Sequence, residues 1–129
     1  MSESRTSKFN VIVIKDFKCP SLNASYAGRH WTSRKAEADL IHSLVAISCR
    51  NQGVKPIVEF PIDIVIKASY KDNRRRDSGN VSNKELIDGL VMAKILPDDN
   101  TKYVYSVKTI AINGTGDNWV EILYNNEID

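Results

Sequence analysis

The feature that most constrains this sequence is a run of apolar residues at every second position from Val58 to Tyr70. The apolar positions of the run are Val58, Phe60, Ile62, Ile64, Ile66, Ala68 and Tyr70. Successive side chains of a β-strand point to opposite faces of a sheet, so this period predicts a strand with one face in the core. Pro61 lacks a backbone N–H, and its place inside the run predicts a sheet edge or a β-bulge there.

Three further segments predict strands. Residues 9–17 carry apolar side chains on both faces, Phe9, Val11 and Val13 on one and Ile12 and Ile14 on the other, which predicts a strand inside the sheet. The segments Tyr103–Ile112 and Trp119–Tyr124 predict two more strands. The polar, glycine-containing residues 113–117 between them predict a hairpin loop that pairs these two strands.

Two segments predict amphipathic helices. Residues 33–50 place Leu40, Ile41, Leu44 and Val45 on one helical face, with His42 beside this stripe as a surface residue. The residues Ser82-Asn-Lys-Glu85 have the capping-box pattern that begins a helix. The apolar stripe of this second helix consists of Leu86, Ile87, Leu90 and Val91.

The resulting order is β-α-β-α-β-β, in a chain of 129 residues. This length suits one domain, and the alternation of elements predicts an α/β or α+β fold with a mixed sheet and two helices. Residues 1–8 and 125–129 are interpreted as tails of a domain that spans residues 9–124.

Several functional classes are disfavoured. The longest apolar run has four residues, Val11–Ile14, far fewer than the ~20 of a membrane span, and no secretory signal pattern is seen. Two cysteines, Cys19 and Cys49, do not make a disulfide scaffold or a metal-ligand pattern. We therefore expect a soluble cytoplasmic protein without a membrane partner. The net charge of +2 says little about partners, so the distribution of charge matters more.

A basic segment and an acidic segment adjoin in the middle of the chain. Arg74, Arg75 and Arg76 supply planar forks that match phosphate geometry, although a solvated basic loop has the same pattern. Lys84 falls in the first turn of the second helix, where helix amides and an ammonium group favour an anion. Lys84 and Asp88 are four residues apart, as in an ordinary surface salt bridge.

An acidic turn follows the second helix. Asp98 and Asp99 are typical of Mg²⁺ ligands, which are often one or two carboxylates with waters completing the shell. The sequence Pro97-Asp-Asp-Asn100 is equally typical of a plain turn. His30 is adjacent to Trp31, so this loop histidine either contacts DNA or packs near the tryptophan.

Taken together, four motifs resemble the RusA-type Holliday junction resolvases of phages and prophages. They are Pro20-Ser-Leu-Asn23, Arg74-Arg-Arg-Asp-Ser-Gly-Asn80, Lys84-Glu-Leu-Ile-Asp-Gly-Leu90 and Ile95-Leu-Pro-Asp-Asp99, in family order. The resemblance covers residues 9–124. It implies a homodimer that uses Mg²⁺ to nick opposing strands of a four-way DNA junction during recombination and repair, in the bacterial host cytoplasm.

The resemblance also implies roles for individual residues. Asp77, Lys84 and Asp99 are the implied catalytic residues. The implied metal ligands are Asp77, Asp98 and Asp99, with Asn80 and Asp88 as further candidates. The expected DNA contacts are Arg74, Arg75, Arg76, Lys71, Arg29 and His30.

One departure from the family pattern bears on activity. The family has Asp-x-Asp-Asn, whereas this chain has Asp77-Ser-Gly-Asn80, so Gly79 or Asn80 stands in place of the second acid. An asparagine offers a neutral oxygen to a metal, and a glycine offers no side chain. Three outcomes follow: a slow resolvase, a resolvase that uses Asp88 instead, or a non-catalytic relative that binds branched DNA or a protein partner.

Overall fold

The structure is a computed structural model that describes residues 9–22 and 31–126, with side chains from residue 34 onward in the second range. Its regular elements follow the predicted order. They are β1 (Asn10–Lys15), α1 (Trp31–Asn51), β2 (Ile62–Ser69), α2 (Lys84–Met92), β3 (Val104–Ile112) and β4 (Trp119–Asn125). A single 3₁₀ turn, Ser78–Asn80, lies between β2 and α2. Neither α1 nor α2, the helices of the described part, has the length and apolar character needed to cross a membrane.

The four strands form one mixed sheet in the order β1-β4-β2-β3. Strand β4 runs antiparallel to both β1 and β2, whereas β3 runs parallel to β2. The mixed sheet is therefore confirmed. The predicted hairpin is wrong, because β3 and β4 lie on opposite sides of β2. The connecting segment instead crosses the end of β2, where Gly114 N donates to Asp72 O at 2.8 Å and Thr115 N to Tyr70 O at 3.1 Å.

Strand β2 confirms the period of two. Ile62, Ile64, Ile66 and Ala68 are all fully buried. The strand begins at Ile62 rather than at Val58, whose side chain is 82% exposed. Pro61 directly precedes the strand, and the β2–β3 register shifts between Ile62 and Asp63, so the predicted irregularity is confirmed.

Strand β1 lies at an edge of the sheet, so its predicted place inside the sheet is wrong. Ile12 and Ile14 are buried in the core, while Val11 on the other face is exposed. The side-chain amide of Gln52 covers part of the open edge, accepting from Val13 N at 2.9 Å and donating to Val13 O at 2.7 Å. Apolar side chains on both faces of a strand therefore do not establish that the strand has a neighbour on each side in the sheet.

The two helices pack closely against each other. A Cβ atom added at Gly89 of α2 would lie 2.9 Å from Val45 Cβ of α1, so the glycine permits the close approach. Among the α1 side chains that the structure describes, those of Ile41, Val45 and Cys49 are buried, and Leu40, predicted in the stripe, is exposed. In α2, Leu86, Ile87 and Leu90 are buried as predicted.

The predicted capping box at the start of α2 is wrong. The N-cap residue is Asn83, which makes no side-chain capping hydrogen bond, and Lys84 is the first helical residue. The Glu85 carboxylate, which the capping box assigns to the helix's own backbone, lies 2.9 Å from His42 Nε2 of α1 instead. A contact between helices has replaced the local cap.

Candidate functional site

A groove of about 600 Å³ lies between the segment that follows β1 and the loop that follows β2. Its walls carry four basic side chains and two acidic ones. The lining residues are Lys18, Cys19, Pro20, Ser21, Glu37, Tyr70, Arg74, Arg75, Arg76, Asp77, Asn80 and Val81. The excess of basic side chains gives the groove a local positive charge, which favours a phosphate-bearing ligand.

Buried hydrogen bonds fix the segment that forms one wall. Cys19 Sγ donates to Ser82 O at 3.3 Å, Ser82 N donates to Pro20 O at 3.0 Å, and the Tyr70 hydroxyl donates to Cys19 O at 2.9 Å. Burial is the main cause that raises the pKa of both the Cys19 thiol and the Tyr70 hydroxyl to about 12. Both groups are therefore neutral at physiological pH and hold the groove together. Neither serves as a nucleophile.

Arg76 stabilises the opposite wall. Its guanidinium lies 4.0 Å above the ring centroid of Tyr70, and its Nη1 is 2.8 Å from Asp72 Oδ1 and 3.0 Å from Asn113 Oδ1. The side chain is 17% exposed. Stacking on an aromatic ring and charge-assisted hydrogen bonds hold this arginine in one position. Arg76 thus shapes the loop that presents its neighbours, and its expected contact with DNA stays a prediction.

Asp72 is the acidic partner in this arrangement. Its Oδ1 accepts from Arg76 Nη1 and, at 3.0 Å, from the backbone N–H of Arg74. The hydrogen bond from Arg76 is the largest of the causes that lower the Asp72 pKa to about 2. The carboxylate is therefore ionised across the physiological range and maintains the loop conformation.

Arg74 and Arg75 are the arginines available to a ligand. Both are exposed, as are Lys71 and Asp77, while Asn80 is half-buried in the groove wall. The 3₁₀ turn places Asp77 and Asn80 together, with Asn80 N donating to Asp77 O at 2.9 Å. Gly79 does not line the groove, so of the two residues in the place of the second acid, Asn80 is the one at the site. The other two expected DNA contacts, Arg29 and His30, lie outside the described residues.

The acidic turn before β3 is a hydrogen-bonded turn. Asp98 Oδ1 accepts from Asp99 N at 2.7 Å, and Asp98 Oδ2 accepts from Asn100 Nδ2 at 3.1 Å. Both carboxylate oxygens of Asp98 thus serve the local turn, which is the alternative function predicted for Pro97-Asp-Asp-Asn100. Asp99 is exposed.

The implied metal ligands are divided between two ends of the sheet. Ser78, next to Asp77 in the chain, contacts the C-terminal half of β3, where Thr109 Oγ1 donates to Ser78 O at 2.7 Å. Asp98 and Asp99 instead precede Val104, the first residue of β3. At about 3.3 Å per residue, Val104 and Thr109 are roughly 17 Å apart. Asp77, Asp98 and Asp99 do not form a group of described residues whose ligand atoms lie within 4.8 Å of one another, so their shared Mg²⁺ site stays a prediction.

Lys84 and Asp88 form the predicted salt bridge, within a larger cluster. Lys84 Nζ lies 3.0 Å from Asp88 Oδ2 and 3.9 Å from Glu85 Oε2. Predicted as a surface residue, His42 is instead largely buried beside Glu85, because α1 and α2 approach closely at Gly89. Among the described residues, His42, Glu85 and Asp88 are the group whose ligand atoms approach closely enough to hold a metal ion.

No protein-family model matches the chain, and no curated protein matches it. The side chains described above include three that the sequence patterns did not single out as site residues: Lys18, Tyr70 and Asp72. The even position of Tyr70 predicts only a place in the core face of the strand. The four-residue spacing of Asp72 and Arg76 was a local signal for their pairing, but Lys18 reaches the groove through the tertiary fold.

Proposed function

We propose that the protein is a RusA-type, structure-selective endonuclease that binds four-way DNA junctions in the basic groove. The observation that carries this proposal is the presence of exposed Arg74 and Arg75 beside Asp77, on a loop that buried contacts hold in place. Guanidinium groups bind phosphate oxygens in pairs. Contacts of this kind follow the DNA backbone and read its shape rather than its sequence.

A two-fold symmetric homodimer is part of the same proposal. A four-way junction has approximate two-fold symmetry, so a symmetric dimer would present identical grooves to opposing strands. Lys71 is exposed next to Tyr70 of the groove wall and adds positive charge there, whereas Lys18 Nζ lies 3.9 Å from Asp72 Oδ2.

The groove of one chain does not contain Asp98 or Asp99, two of the carboxylates that the resemblance implies for Mg²⁺-dependent cleavage. Asp77 and Glu37 are the acidic groups in its lining. Gly79 offers no side chain in the place of the second acid. This observation favours a second candidate function, in which the protein binds branched DNA without cutting it.

Binding is tested first, in EDTA so that cleavage does not interfere. We expect fluorescence anisotropy to show tighter binding to a labelled four-way junction than to a duplex of the same sequence. Arg75→Ala should weaken junction binding by about ten-fold through the loss of phosphate contacts. Arg50→Ala is the matched control, because Arg50 is exposed at the end of α1 and does not line the groove. Equal losses for both variants, or equal affinity for junction and duplex, would contradict the proposal.

Cleavage is tested with the same junction in Mg²⁺. We expect paired nicks from the wild-type protein and none from Asp77→Asn. Asn80→Asp should increase the cleavage rate, because it adds a carboxylate to the groove wall. Gly79→Asp should have a smaller effect, since a side chain there meets open space and the residue does not line the groove. Junction binding without nicks from any of these proteins would instead support the binding-only function.

A further inference from the structure

We infer that His42, Glu85 and Asp88 form a binding site for a divalent transition-metal ion, of the Zn²⁺ or Mn²⁺ class, that joins α1 to α2. This site is separate from the groove and goes beyond the proposed function. Its three residues come from two helices, His42 from α1 and both carboxylates from α2.

The geometry of the cluster is close to what such an ion requires. One ligand atom from each residue can be chosen so that all three lie within 4.8 Å of one another. Four ligands at about 2.0–2.1 Å from a tetrahedral ion are about 3.3 Å apart, so small side-chain movements suffice. His42 Nε2 and Glu85 Oε1 are already 2.9 Å apart. An ion would take the place of the proton between these two atoms.

The ligand types indicate the class of metal. One imidazole with two carboxylates is a set that suits Zn²⁺, Mn²⁺ and their neighbours, whereas Mg²⁺ prefers oxygen ligands and water. The side chains of His42, Glu85 and Asp88 are 16%, 29% and 30% exposed. The cluster is thus partly shielded from water and still accessible to an ion from solvent.

The charges of the cluster favour a cation. Two carboxylates face a single ammonium group, Lys84 Nζ, which lies 3.0 Å from Asp88 Oδ2 and 3.9 Å from Glu85 Oε2. The Lys84 side chain is 65% exposed and can move into solvent as an ion enters. The lysine therefore competes with the metal, and its removal should strengthen metal binding.

The environment of the second ring nitrogen of His42, Nδ1, determines the metal affinity that we expect. Nδ1 is buried and has no hydrogen-bond partner in the part of the chain that the structure describes. An ion on Nε2 leaves the ring proton on Nδ1, where histidine ligands usually donate to an acceptor. Since loss of such a partner typically weakens binding 10- to 100-fold, we expect an exchangeable ion rather than a permanently bound one.

The test is isothermal titration of the full, tag-free chain with Zn²⁺ and Mn²⁺, without DNA. We expect one ion per chain. His42→Gln, whose amide can still donate to Glu85, should weaken binding by at least about ten-fold, and Asp88→Asn should act in the same direction. Lys84→Met should bind more tightly than the wild type. Far-ultraviolet circular dichroism confirms that each variant is folded.

Asp39→Asn is the matched control, because it removes an exposed carboxylate on the surface of α1 that lies outside the cluster. It should leave the affinity unchanged. The inference is overturned if no ion binds at millimolar concentrations, if His42→Gln binds as well as the wild type, or if Asp39→Asn abolishes binding. Junction binding is measured separately in EDTA, so a failure here leaves the proposed function untouched, and the reverse also holds.

Discussion

At the residue scale, three consecutive arginines have different environments because one of them reaches an aromatic ring. Arg76 stacks on Tyr70 and pairs with Asp72, whereas Arg74 and Arg75 are exposed. The sequence predicted a basic, phosphate-binding loop but could not separate its members. Which of the three arginines stacks on a ring depends on the position of Tyr70, the last residue of the alternating apolar run, just after β2 ends.

This difference predicts unequal effects of two alanine substitutions on stability. Arg76→Ala should lower the free energy of unfolding by about 1–3 kcal/mol, because the stacking and charge-assisted hydrogen bonds are lost. Arg75→Ala should change it by less than about 0.5 kcal/mol, as is usual for an exposed side chain. Urea denaturation measures both values. Equal stabilities of the two variants would show that Arg76 does not hold the loop.

Asp72 predicts a stability effect confined to acidic pH. Its pKa is about 2 in the folded protein against an ordinary value of 3.8, so the folded state favours the ionised carboxylate. The resulting stabilisation is fully present above about pH 4 and is lost as the pH falls toward 2. Thermal unfolding of the wild type and Asp72→Asn from pH 2 to 5 should therefore show a difference that narrows as the pH falls.

The control for that measurement is Asp39→Asn, which removes an exposed carboxylate paired with Lys35 on the surface of α1. It corrects for the loss of one surface charge. A stability difference between wild type and Asp72→Asn that stays constant over the whole pH range would contradict the prediction, since the Asp72 contribution must vanish once the carboxylate is protonated.

At the element scale, the contact between α1 and α2 depends on the missing side chain of Gly89. An added Cβ would lie 3.0 Å from Val45 Cγ2 and 2.9 Å from Val45 Cβ, and the second distance is closer than real Cβ contacts allow. The same approach brings Glu85 to His42 and creates the His42–Glu85–Asp88 cluster. The sequence pattern placed Gly89 in a helix but gave no sign of the contact, because helix packing involves residues distant in the chain.

Gly89→Ala is therefore predicted to destabilise the protein in spite of the better helix propensity of alanine. Overpacking against Val45 should cost about 1–3 kcal/mol, offset by about 1 kcal/mol of propensity. Gly79→Ala is the control, since an added Cβ there meets nothing within 4 Å. Denaturant unfolding should show a loss for Gly89→Ala and little change for Gly79→Ala. A more stable Gly89→Ala protein would mean that the helices move apart freely.

The elements themselves were largely predictable, and their partners were not. Residue periods of two and near 3.6 are local properties, so they located the four strands and two helices of the described residues. Strand order depends on long-range pairing. Residues 113–117 have typical hairpin composition, yet they bond to residues 70–72 and carry the chain across β2. Likewise, apolar residues on both faces of β1 did not reveal that it lies at an edge.

At the scale of the whole molecule, topology decides which predicted site residues meet. Parallel pairing of β2 with β3 puts the start of β3 at one end of the sheet and the loop after β2 at the other. Asp77 and the Asp98–Asp99 turn are thus separated, although the sequence resemblance groups them in one site. The spacing of motifs along the chain has no information about this separation, because it depends on strand direction and not on sequence distance.

This separation leads to a prediction about the proposed homodimer. If junction cleavage needs both Asp77 and Asp99, one chain must supply Asp77 and its partner Asp99. Asp77→Asn and Asp99→Asn homodimers should then both be inactive. A mixed dimer of the two variants contains one complete composite site and one that lacks both carboxylates, so it should make single nicks in a four-way junction where the wild type makes paired nicks.

Co-expression with two different affinity tags isolates the mixed dimer, and denaturing gels of the end-labelled junction distinguish single from paired nicks. If each site lay within one chain, both sites of the mixed dimer would lack a carboxylate, and it would be as inactive as its parents.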